Sequence, residues 1–209
     1  MAAVFHTIGH SNHPIGDFLG RLAGAGIEAV ADVRSVPYSR RFPQFSKEPL
    51  AAALGERNIA YVFLGRELGA RRDEPEAYLG DRADYERVAA LPAFADGLAR
   101  LLDGARRYRI ALMCAEREPL DCHRTVLVAR RLVERGAAVR HILADGGIEP
   151  HAETERRLLA LTGQDVPDLL AAAGDGLPAD PLARAYVLRG REIAYRRPLR
   201  GTPLQVRMT

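Results

Sequence analysis

Over the first 150 residues, short apolar runs alternate with stretches whose apolar positions recur at helical spacing. Residues 4–8 read as a strand running into Gly9-His10-Ser11. Asn12 or His13, before Pro14, opens a helix with Phe18, Leu19, Leu22 and Ala25 on one face, stopped by Gly26. Residues 28–33 read as a second strand, followed by the proline-punctuated loop SVPYSRRFPQFSKEP. A short helix over 49–57 and a third strand over 60–64 lead to Gly65-Arg66-Glu67-Leu68-Gly69. Residues 70–83 read as an exposed loop, and 85–108 as one or two helices broken near Pro92. A fourth strand is expected over 109–113, a helix over 125–135 stopped by Gly136, a fifth strand over 139–143 and a helix over 153–162. An amphipathic helix is expected near 182–195. This order predicts an α/β fold: a single domain with a mostly parallel sheet flanked by helices, Rossmann-like and three-layered, plus a C-terminal helical extension. The expected division is a core domain over 1–163, a linker over 164–181 and an arginine-rich extension over 182–209.

Composition narrows the class. A hydrophobic fraction of 47% and a charged fraction of 27% suit an ordinary globular chain. No apolar run reaches the roughly 20 residues needed to span a bilayer, so no membrane partner is expected. The start, MAAVFHTIGHS, lacks the basic and long apolar regions of a signal peptide, and a cytoplasmic location with reduced cysteines is expected. Lys47 is the only lysine, so 29 of the 30 basic residues are arginine, as expected from a GC-rich coding sequence. Arginine number is therefore weak evidence for nucleic acid. Its distribution says more: residues 184–209 hold Arg184, Arg189, Arg191, Arg196, Arg197, Arg200 and Arg207 against the single acid Glu192.

Reactive side chains gather after the strands, where open α/β sheets bind ligands. The first strand is followed by His10 and Ser11, and the second by Asp32, Arg34, Ser39, Arg40 and Arg41. The fourth leads into MCAEREPLDCHR, with Cys114, Glu116, Cys122, His123 and Arg124; the fifth leads to Asp145 and His151. The opposite strand ends carry turn residues and little else. If the following helix starts at Thr125, then Cys122 and His123 cap it, beside free backbone N–H groups and the forked cation of Arg124. That environment lowers a thiol pKa and makes Cys122 the favoured nucleophile, with Cys114 more buried at the strand tip. A phosphatase loop would need arginine six residues after the cysteine; position 128 is Val, and a rhodanese loop fails on the same spacing. Cys114, Cys122 and His123 are three zinc-type ligands, with His10 or Asp145 as a fourth, but Cys-x7-Cys is not a knuckle spacing. No cofactor is therefore predicted, zinc remaining a lesser alternative.

The segments TIGHS, DVRSVPYSRRFPQFS, LGRELG and LMCAEREPLDCHR, in this order across residues 5–160, resemble the domain-of-unknown-function 488 family. The resemblance implies an intracellular bacterial-type α/β domain whose signature falls on His10, Ser11, Asp32, Arg34, Arg40, Cys114, Glu116, Cys122, His123 and Arg124. It implies no reaction.

The expectation is an enzyme or enzyme-like domain that binds an anionic or nucleotide-like small molecule in a strand-end cleft. Cys122, His123, Cys114, Glu116 and His10 are its candidate catalytic residues. Ser11, Asp32, Arg34, Ser39, Arg40, Arg124 and Asp145 are the candidate ligand-binding residues. Two alternatives stand beside it: a nucleic-acid-binding protein using the 34–45 loop and basic tail, and a Cys/His metal-binding domain.

Overall fold

The structure, a computed structural model, describes residues 2–165 and 176–198. Its main sheet has six strands: β1 (Val4–Gly9), β2 (Ala29–Asp32), β3 (Ala60–Phe63), β6 (Ile110–Cys114), β7 (Ala138–Ile142) and β8 (Ile148–Pro150). A separate two-stranded hairpin is formed by β4 (Tyr78–Leu79) and β5 (Arg82–Ala83). The order across the sheet is β3-β2-β6-β1-β7-β8, all parallel except for β8, which pairs antiparallel with β7.

The central strands are buried on both faces, so they do not alternate between apolar and polar positions. In β6 every residue of Ile-Ala-Leu-Met-Cys is buried. Alternation then assigns each side chain to a layer. On one face Ile8, Val30, Ala111 and Met113 meet Phe18 and Leu22 of α1 (Ile15–Gly24) and Leu50 and Leu54 of α2 (Lys47–Gly55). On the other, Phe5, Ala31, Ile110 and Leu112 meet a second layer. That layer holds α4 (Tyr85–Ala89), α5 (Pro92–Gly104), α6 (Arg130–Val133), α7 (His151–Leu161) and α8 (Pro181–Ile193).

This topology makes a switch point. Neighbouring strands β1 and β6 lead to helices on opposite faces, α1 on one and α6 on the other, so their loops part and leave a crevice beyond the strand ends. Register sets the floor of the crevice: Gly9 pairs with Cys114, and Asp32 with Met113. His10 N–H and Ser11 N–H extend the ladder to the carbonyls of Cys114 and Ala115, both at 2.9 Å.

Four local expectations change. Gly65-Arg66-Glu67-Leu68 is a one-turn helix, α3 (Gly65–Leu68), not a plain turn. Gly65 is needed because a Cβ there would lie 1.8 Å from the Arg34 carbonyl oxygen. Residues 70–83 are not simply an exposed loop. They contain the hairpin and bury Ala70, Arg72, Ala77, Tyr78 and Ala83; tyrosine and alanine spaced by turn residues carry no clear period. The short antiparallel β8 has too few residues to show alternation. The helix expected from Thr125 begins one residue earlier as a π-turn, Arg124–Ala129, before α6. Insertions of this kind recur at functional sites.

The C-terminal helix α8 is tied to the core by a buried chain of hydrogen bonds. Thr7 Oγ1, His141, His151 and Tyr186 OH are linked in sequence at 2.8–2.9 Å, and Tyr186 OH also donates to Glu155. Arg189 Nε donates to the Leu120 carbonyl, and its guanidinium pairs with Asp121. The 164–181 linker lies in part, and Arg200 and Arg207 lie wholly, outside the described residues. No helix among the described residues is long and apolar enough to cross a membrane.

Candidate functional site: the cleft between the first and fourth parallel strands

A cleft of about 740 Å³ opens at the switch point. Ligand pockets commonly fall in the range of about 300–1,000 Å³. His10, Ser11, Arg34, Ser39, Cys114, Glu116 and His123 line it, seven of the twelve residues expected from the sequence.

The second strand supplies a fixed cation. Asp32 is fully buried. Its Oδ1 accepts the Arg34 backbone N–H at 3.1 Å and Nε at 2.9 Å, and Oδ2 accepts Arg34 Nη2 at 2.6 Å. Tyr61 OH, from β3, adds a fourth bond to Oδ2 at 2.8 Å. Asp32 is thus a positioning residue that faces Arg34 and is not among the cleft-lining side chains. The remaining arm, Arg34 Nη1, lies 3.3 Å from His10 Nε2. Since arginine only donates, Nε2 accepts, and His10 Nδ1–H donates to the Ser11 carbonyl at 2.9 Å. The ring stacks on Phe45 with centroids 4.3 Å apart. Burial, aided by Arg34, lowers the His10 pKa to about 4, so it is a neutral imidazole at pH 7. Ser11 sits beside it with φ 47°, in the left-handed region that non-glycine residues seldom occupy without cause.

The sulfur cluster forms the floor. Cys114 and Cys122 are both free and buried. His123 Nε2 lies 2.9 Å from the Val33 carbonyl, to which it must donate. Its Nδ1 therefore faces Cys114 Sγ at 3.7 Å and Cys122 Sγ at 3.9 Å. Cys122 Sγ lies 3.0 Å from Glu116 Oε2, and the Arg124 backbone N–H points at the same sulfur at 3.4 Å. Burial alone would raise the Cys122 pKa; the Cys114 thiol, the Arg124 guanidinium and His123 outweigh it and hold it well below the usual thiol range. Burial and Cys122 push Cys114 up instead. Burial would lower His123, but Cys122 and Glu116 raise it. Partial burial and the adjacent Cys122 push the Glu116 carboxyl up.

The other expected residues lie elsewhere. Cys122 is behind the floor: the cleft reaches Cys114 and His123. Arg124 is completely buried, with Nη1 on the Glu116 carbonyl at 2.7 Å and Nη2 on the Arg117 carbonyl at 3.2 Å. It shapes the 115–118 turn, and its fork is not presented to the cleft. That turn is approached so closely by β1 that a Cβ on Gly9 would lie 1.9 Å from the Glu116 carbonyl oxygen. Arg40 is exposed and does not line the cleft, whereas Arg41 does. Asp145 borders a separate shallow groove with Glu149 and Arg157, where its Oδ1 accepts the Gly147 N–H.

Sequence reasoning missed Tyr61, Phe45, Arg71, Arg117, Tyr85 and Tyr195. Tyr61 lay unremarked in the third strand, and Phe45 in the proline-punctuated loop. Arg71 lay in the presumed loop, and Tyr195 arrives from a segment whose packing cannot be read locally.

A family model described as domain of unknown function DUF488 matches residues 14–131, and these hold the Asp32–Arg34 clamp and the whole Cys/His cluster. The chain belongs to this family. No curated protein and no solved structure matches it. The DUF488 match names no ligand.

Proposed function

We propose that this DUF488 chain is an enzyme that takes a small anionic substrate, a phosphate- or carboxylate-bearing molecule of nucleotide size or less, into the switch-point cleft. The observation that carries the reading is the charge of the cleft wall. Four arginines, Arg34, Arg41, Arg71 and Arg117, line it with only two carboxylates. Of those, Asp121 already pairs with Arg189, and Glu116 turns one oxygen to Cys122. Arg34 is rigid and so loses little side-chain entropy on binding, while the exposed Arg41 and Arg71 close around the ligand. Tyr38, 59% exposed on the rim, offers a face for a planar group such as a nucleobase. The reacting end of the substrate would meet Cys114, Glu116 and His123, with neutral His10 holding the Arg34 guanidinium in place beside them.

Polynucleotide binding is the weaker reading, because Arg189, Arg196 and Arg197 are engaged within the fold. Calorimetric titration with inorganic phosphate, adenosine monophosphate and a single-stranded oligonucleotide tests both. The mononucleotide or phosphate should bind. The Arg41→Ala/Arg71→Ala variant should weaken binding by roughly tenfold or more, the cost of about one charge-assisted hydrogen bond. If neither small anion binds, or if the variant binds as well as wild type, the reading fails. Tight oligonucleotide binding that falls steeply with salt would favour the polynucleotide reading instead.

A further inference from the structure

We propose that Cys114, Cys122 and His123 form a binding site for a zinc-type divalent cation, with the fourth coordination position on the cleft side. The donor atoms of the three residues lie within 4.8 Å of one another. Tetrahedral zinc, with bonds of about 2.3 Å to sulfur and about 2.0 Å to nitrogen, places its ligand atoms roughly 3.5–3.8 Å apart. The two sulfur–nitrogen separations, 3.7 and 3.9 Å, are close to that edge length. They suit ligands around a common centre better than a hydrogen-bonded pair.

The surroundings agree with the donor geometry. The bond from His123 Nε2 to the Val33 carbonyl leaves the Nδ1 lone pair aimed at the sulfurs. Such a carbonyl partner orients metal-bound histidines generally. The backbone N–H of Arg124 on Cys122 Sγ stabilises a thiolate at that position. Two thiolates and a neutral imidazole balance a divalent charge, so the loaded site is neutral in its buried setting. With only two cysteines in the chain, an iron–sulfur cluster held by four thiolates is excluded. Soft thiolates with imidazole in a tetrahedral set select zinc over magnesium or calcium.

Three protein ligands leave one position for water or substrate, the arrangement of catalytic rather than structural zinc. Here the cleft reaches Cys114 and His123, and Glu116 stands on the same side. The inference gives the proposed cleft a Lewis-acid floor, yet it stands without the anion reading, since no arginine supplies a ligand atom.

The test uses the full chain, reduced, treated with chelator and titrated with cobalt(II). Intense visible absorption of tetrahedral cobalt, with near-ultraviolet sulfur-to-cobalt charge transfer, should saturate at one equivalent and be displaced by zinc. Cys114→Ser and Cys122→Ser should each weaken or abolish the charge-transfer band, and Arg41→Ala/Arg71→Ala should titrate as wild type while binding phosphate more weakly. No charge transfer in wild type, or an unchanged band in both cysteine variants, overturns the proposal. If the cysteine variants do not fold, alkylation of the wild type decides. Stoichiometric zinc must protect both thiols from iodoacetamide, and labelling unaffected by zinc overturns the site.

Discussion

Replacing Asp32 with asparagine removes the clamp on Arg34 with almost no change of shape. The carboxylate is fully buried and each of its oxygens accepts two donors: the Arg34 N–H and Nε on one, Arg34 Nη2 and Tyr61 OH on the other. Whichever way the new amide turns, its NH2 faces two donors, and the guanidinium loses its counter-charge. Removing one partner of a buried ion pair costs about 3–5 kcal/mol. Against a typical total of about 5–15 kcal/mol, that is a large share of the stability. For a chain of this size it corresponds to a Tm lower by about 6–20 °C. The assay is urea and thermal unfolding followed by circular dichroism, with Arg34→Met and the double variant Asp32→Asn/Arg34→Met alongside. The double variant should be more stable than the sum of the single losses, because it leaves no unpaired buried charge. A loss below about 1 kcal/mol for Asp32→Asn, or strict additivity in the double, would refute the clamp.

Three further outcomes follow from other parts of the fold. Gly65→Ala should cost about 3 kcal/mol and disturb the cleft, since its Cβ would press on the Arg34 carbonyl and the Phe63 ring. By contrast Gly20→Ala, on an open face of α1, should be neutral or stabilise by up to about 1 kcal/mol; equal effects in urea denaturation would contradict the packing. Acid should weaken the protein early. His10 and His151 both have pKa values lowered to about 4, chiefly by burial, from 6.5 in the unfolded chain. Between these values the unfolded state binds more protons. Stability is therefore full above about pH 6.5 and falls as pH drops towards 4, by on the order of 3 kcal/mol per histidine. A urea midpoint that stays level from pH 7 to about 5 would count against both buried histidines. Tyr186→Phe leaves His151 Nε2 without its partner and should cost about 1–3 kcal/mol. Hydrogen exchange should quicken across α8 before the sheet; unchanged exchange there would contradict the tether.

Much of this architecture was legible because the relevant signals are local. The short apolar stretches of β2 and β6 stand out because these strands are covered on both faces, and α1 declares itself by Phe18, Leu19 and Leu22. The gathering of His10, Arg34 and Cys114 at one edge follows from parallel strands ending at one level. What escaped depends on contacts between distant segments. Arg124 looked like an anion fork from its place at a helix start, but the tight β6 turn leaves two carbonyls facing its guanidinium. Cys122 looked more accessible than Cys114; it follows the Pro119–Asp121 turn into the buried interior, and the cleft reaches Cys114 instead. Asp145 follows its strand as expected, but β8 turns that loop towards another groove. The role of Tyr61 in holding Asp32 requires the β2–β3 pairing, which no local pattern reveals.

The central claim is the location of the ligand, and an amide-resolved NMR titration of the full chain with inorganic phosphate tests it most directly. Shifts should concentrate at residues 10–12, 34–42 and 115–117 around the cleft, and leave the opposite strand ends near Gly26 and Gly136 unmoved. A titration that moves no amides, or that moves chiefly the groove around Asp145, Glu149 and Arg157, would contradict the account.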